Sequence, residues 1–172
     1  MANTRTARRF PLAAWLFVLA GVLILLELLL SHVGAASIDS VILFIAYVAL
    51  TVAFVVMFLW RSVDILLRVA FIVAAVGFAL IALSILAPLG TVVTKVADVL
   101  VLAGFLVAGI MVFVRHVFGR LGNIVFLILG IVVALIFLSA LTGFIGGVLL
   151  LILDILFGAG LIAVGLLITR RR

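Results

Sequence analysis

Six runs of predominantly apolar residues divide the chain, at residues 12–31, 41–60, 68–87, 92–114, 121–141 and 145–168. An α-helix of about 20 such residues crosses the roughly 30 Å hydrocarbon core of a bilayer. The runs do not alternate polar and apolar positions as barrel strands do, so the pattern predicts helices. Between them, Ser31 to Ser40 with Gly34, Arg61 to Asp64, Pro88-Leu89-Gly90, Arg115 to Arg120 with Gly119, and Thr142-Gly143 carry turn chemistry. Connections this short join antiparallel neighbours and leave no room for an extramembrane domain. The predicted fold is an all-α polytopic membrane protein. Three helical hairpins, at 12–60, 68–114 and 121–168, form a six-helix bundle between a basic N-terminus (1–11) and a basic tail (169–172). A secretory signal is the weaker reading of the first run, which exceeds the roughly 7 to 15 apolar residues of a signal core.

Composition sharpens this picture. Hydrophobic residues make up 71% of the chain and charged residues 9%, too few polar groups to cover a water-facing surface, so a soluble globule is excluded. Of the eleven Lys and Arg residues, Arg5, Arg8, Arg9, Arg61, Arg68, Arg115, Arg120, Arg170, Arg171 and Arg172 fall on the N-terminus, alternate loops and the C-terminus. The opposite loops hold only Lys95. That bias places both termini in the cytoplasm of a cell membrane, with Trp15 and Trp60 at the cytoplasmic interface. The scatter of the basic residues argues against nucleic acid. The expected partners are the bilayer and anionic lipids at the cytoplasmic face.

The chain repeats itself. Without gaps, the fourth run aligns on the sixth, pairing Asp98 with Asp154, Leu100 with Leu156, Ala103-Gly104 with Ala159-Gly160, Gly109 with Gly165 and Arg115 with Arg171. The third and fifth runs pair Phe71 with Phe126, Ala79-Leu80-Ile81 with Ala134-Leu135-Ile136, and Leu83-Ser84 with Leu138-Ser139. The unit is therefore a hairpin, and the copies run parallel about an axis along the membrane normal, unlike inverted transporter repeats. The first hairpin follows more loosely: Leu30-Ser31 and Arg61 match, but Phe44 stands where the others carry Asp.

Three such hairpins, with a D-x-L-x-x-A-G-x-x-x-x-G helix ending in Arg, resemble the HdeD-like family over about residues 12 to 170. That family comprises small six-helix membrane proteins of bacteria and archaea, named for a protein associated with acid resistance. The resemblance implies a non-enzymatic role in envelope or stress physiology, or as an accessory membrane subunit, and it carries over no catalytic or binding residues.

Candidate chemistry rests on few residues. With no Cys and two His, the chain offers no thiolate or metal cluster, and no Ser, His and Asp converge at one depth, so neither an enzyme nor a cofactor is expected. Asp154, within the sixth run, shares a helical stripe with Gly158, Leu161 and Gly165. An acid at a helix centre costs about 2.5 to 3.5 kcal/mol on insertion, so it should face the bundle, as a neutral hydrogen-bonded acid or as a proton or cation site. Glu27 lies at similar depth, and Tyr47 is placed to donate a hydrogen bond to either. These three are the candidate site, and a small proton-linked or cation-linked channel or carrier is the alternative function. Lys95 and Asp98 are spaced for an outer ion pair. His32 is placed to sense outer pH, on the opposite side from His116. Small-residue pairs such as Gly104 and Ala108, Gly130 and Ala134, and Ala159 and Ala163 have helix-packing spacing, within the bundle or in a homo-oligomer or larger complex.

Overall fold

The computed structural model describes residues 11–33, 36–59, 64–87, 89–143 and 146–170. They form six helices: α1 (Pro11–Val33), α2 (Ala36–Phe58), α3 (Ile65–Leu86), α4 (Thr91–Arg115), α5 (Gly119–Thr142) and α6 (Val148–Thr169). Each is long and apolar enough to cross a membrane, so the chain is an integral membrane protein with the predicted number of spans.

Local chemistry sets the ends. Asp64 caps α3 by accepting a hydrogen bond from the Leu66 N–H at 2.9 Å. Gly143, with φ 67°, closes α5 in the left-handed conformation. Several boundaries differ from those read off hydropathy. α2 already begins at Ala36, within the stretch assigned to a loop, because Ala, Ser and Asp signal polarity without disfavouring a helix start. Asp39 in the first turn complements the helix dipole there. α3 begins at Ile65, ahead of Arg68. The Arg68 Nε donates to the Phe58 carbonyl at 3.0 Å and its guanidinium lies 5.1 Å from the Phe58 ring centroid, so the charge reaches back to the interface without ending the helix. α6 begins at Val148, after Gly147 with φ 58°, later than read. Trp15 is exposed at the start of α1; Trp60 lies outside the described residues.

The helices pack in chain order, α1 on α2 through α5 on α6, and α6 then packs on α1, closing a ring. Glycines set the closest approaches. A Cβ added at Gly104 of α4 would lie 2.4 Å from the Ala74 amide nitrogen of α3, and one at Gly165 of α6 would lie 2.4 Å from the Ala14 carbonyl oxygen of α1. The aligned glycines face equivalent neighbours: Gly104 and Gly160 face the first helix of their own hairpin, whereas Gly109 and Gly165 face the first helix of the next one around the ring. The closeness differs. Behind Gly160 only the Leu129 side chain stands near, and α5 and α6 form the slackest side of the ring.

Every Arg in the described residues sits at one end of the bundle. Arg115 at the end of α4 bridges to Asp64 at the start of α3, with Nη2 2.9 Å from Oδ2. With no native Cys to interfere, exposed positions test the orientation. A cysteine replacing Thr91 should react with an impermeant maleimide added outside intact cells, and one replacing Arg120 should react only after permeabilisation. The reverse pattern would invert the topology.

Candidate functional site

Four of the five acidic residues lie in the half of the bundle away from the arginines: Glu27 near the end of α1, Asp39 in the first turn of α2, Asp98 in the second turn of α4 and Asp154 in the second turn of α6. Tyr47 lies deeper on α2. All five side chains are partly buried. Glu27 and Asp154 stand on α1 and α6, which pack side by side, and Tyr47 on α2 flanks α1. The acids therefore share one end of the bundle, each partly buried.

Sequence alone left Glu27 and Asp154 on separate helices; closure of α1 on α6 puts those two helices side by side. Tyr47 joins them, but among the described residues no hydrogen bond links its hydroxyl to either carboxyl. Its ring instead stacks on Phe78, with centroids 5.9 Å apart and planes at 22°. Asp39, passed over because its segment was read as a loop, belongs to the cluster; its Oδ1 is buried without a hydrogen-bond partner.

The expected ion pair is not formed: among the described residues the salt bridge is Arg115–Asp64, and none joins Lys95 to Asp98. Residues 91 to 96 are exposed throughout, Lys95 among them, whereas Asp98 is partly buried. The side chain of His32 lies outside the described residues. His116 ends α4 at the arginine-bearing end in the left-handed conformation, φ 53°, where Asn123 Nδ2 lies 3.4 Å from its Nδ1.

Below the acids the axis is filled by aromatic rings. Phe105 of α4 is fully buried and packs on Phe54 of α2 at 5.2 Å, Phe126 of α5 at 5.5 Å, Phe78 of α3 at 6.2 Å and Phe157 of α6 at 6.4 Å between centroids. Phe17 of α1 completes the layer against Phe54 and Phe126. Asp98 and Phe105, like Tyr47 and Phe54, are seven residues apart, about two helical turns, so each polar group stands above a ring on the same helix face. That heptad offset was the available sequence signal for the layer. Comparison with protein-family models, with curated proteins and with solved structures finds no match. The site must therefore be read from its own chemistry. It can exchange protons, or attract small cations, from one side of the bundle, above an apolar floor of packed phenylalanine rings.

Proposed function

We propose that this chain is a non-enzymatic integral membrane protein of HdeD-like type. On this reading it acts in envelope or stress physiology, and its outer-half acids exchange protons with the outside and register acidity there. One observation carries the reading: Glu27, Asp39, Asp98 and Asp154, from α1, α2, α4 and α6, lie partly buried at the end of the bundle away from the described arginines, with Lys95 the basic residue among them. Like charges sharing one apolar end are costly, so on this reading proton uptake there is coupled to packing around Tyr47. The filled axis beneath favours registering protons over passing them through. Carriage or conduction of a proton or cation is the second reading, and the same grouping of acids is what favours it.

One set of measurements separates the two. Purified protein taken from pH 7 to pH 5 should show a change in tyrosine absorbance or local hydrogen exchange at Tyr47 that is lost in the Glu27→Gln, Asp154→Asn double variant. Asp154→Asn alone should melt close to wild type, because the amide keeps the shape and a hydrogen-bonding group. Proteoliposomes should show no proton, sodium or potassium flux above empty vesicles. A flux abolished by Asp154→Asn would replace this reading with transport, and an acid response unchanged in the double variant would remove the site from either.

A further inference from the structure

The third hairpin is open where the second is closed. In the second, the Ala74 backbone fills the space behind Gly104; in the third, the aligned Gly160 leaves a groove between α5 and α6 of about 260 Å³. Val125, Leu129 and Val132 of α5 form one wall, and Ala159, Gly160 and Ala163 of α6 the other. The groove faces outward from the ring, is apolar along its length, and is wide where Ala159, Gly160 and Ala163 follow Leu156 on the α6 wall.

Its direction gives it chemistry. Ala159, Ala163 and Arg170 follow one helical stripe of α6, since residues four and seven apart recur on the same face. Arg170 therefore stands at the mouth of the groove, about two turns beyond Ala163, whereas Arg120, in the first turn of α5 at the same end, falls on a different stripe of α5 from Val125, Ile128, Leu129 and Val132. Both arginines are exposed, and neither makes an ion pair among the described residues. Asp64, the acidic residue at that end of the bundle, is already held by Arg115. The mouth is thus cationic and uncompensated, and the groove behind it suits a hydrocarbon chain.

We propose that the α5–α6 groove is a binding site for one anionic phospholipid, with an acyl chain lying along Ala159, Gly160 and Ala163 and its phosphate held by Arg170. Packing against a groove adds little over the surrounding lipid tails, because hydrocarbon is as apolar as the groove walls. Selectivity comes from the headgroup, and position comes from the fit of the chain. A lipid held this way would also fill the one slack side of the ring.

Native mass spectrometry of protein extracted into mild detergent and titrated with dioleoyl phosphatidylglycerol or dioleoyl phosphatidylcholine tests this. Wild type should retain one phosphatidylglycerol severalfold more strongly than phosphatidylcholine, and its melting temperature should rise with the former. Arg170→Gln should lose the preference. Ala159→Phe, which fills the groove from an exposed position and leaves the core intact, should lose the bound lipid while melting like lipid-free wild type. If Arg170→Gln loses the preference but Ala159→Phe keeps it, the effect is general attraction to the leaflet and the groove site is wrong. Loss of a dimer peak in Ala159→Phe would mean that a second copy of the chain fills the groove. Equal retention of both lipids would also overturn the proposal.

Discussion

Gly104→Ala should destabilise the protein by about 2 kcal/mol, whereas the same change at the aligned Gly160 should be close to neutral. Alanine is favoured over glycine within a helix by about 1 kcal/mol, so both substitutions begin with the same gain. At Gly104 that gain is overwhelmed. The new methyl would stand 2.4 Å from the Ala74 amide nitrogen and 2.9 Å from its Cα. Backbone cannot step aside without moving α3 from α4, and such overpacking costs typically 1 to 3 kcal/mol, occasionally more. At Gly160 the obstacle is Leu129 Cδ1 at 2.7 Å, with the next atom at 3.6 Å, and the end of a leucine can rotate away into the groove. Unfolding by SDS titration in mixed micelles compares the two variants under identical conditions. Equal losses at the two positions would contradict the difference in closeness between the second and third hairpins.

Removing the Asn123 side chain should cost about 2 kcal/mol, a large effect for one polar group in so apolar a protein. Asn123 is 1% exposed, and its Oδ1 accepts the Phe118 N–H at 2.8 Å within the turn that ends α4 and starts α5. Asn123→Ala would strip that buried N–H of its acceptor, a loss of about 1 to 3 kcal/mol. The same turn holds His116 at φ 53°, a conformation that costs a residue with a Cβ about 1 to 2 kcal/mol. Asn123, bound to the turn at both Phe118 and His116, helps hold it in that shape. Adding His116→Gly to Asn123→Ala should therefore recover part of the loss, about 1 kcal/mol. The same micelle titration reads both steps. An Asn123→Ala variant as stable as wild type would show that the turn holds itself.

The number of spans and their antiparallel order were legible in the sequence because both follow from hydrophobic length. Helix ends were less so. Hydropathy reports solubility in lipid, not helicity, and it read the polar start of α2, including Asp39, as loop. The candidate site was half legible. Asp154 and Glu27 stood out as acids in apolar runs, but their approach depends on α6 packing beside α1, and no pattern within a single helix contains that information. Asp98 was assigned to Lys95 because three-residue spacing permits an ion pair; the spacing makes the two neighbours but does not decide whether their side chains turn to one another. The phenylalanine layer escaped notice because hydropathy weighs Phe much as it weighs Leu, and only the crossing of the helices reveals that these rings meet.

Closure of the ring through α1 and α6 also orders the assembly of the protein in time. Gly21 of α1 backs onto Gly158 of α6, where an added Cβ would come within 2.5 Å of the Gly158 carbonyl oxygen, and the two lie 137 residues apart in the sequence. Ribosomes deliver the helices from the N-terminus onward, so α1 enters the bilayer long before its second flank exists. Until α6 arrives, α1 to α5 form an open arc, with Glu27 beside the gap and the Gly21 groove of α1 facing lipid. α6 is the helix that brings Asp154 and shuts the arc. A ribosome stalled before α6 should therefore leave the flank of α1 that carries Gly21 uncovered.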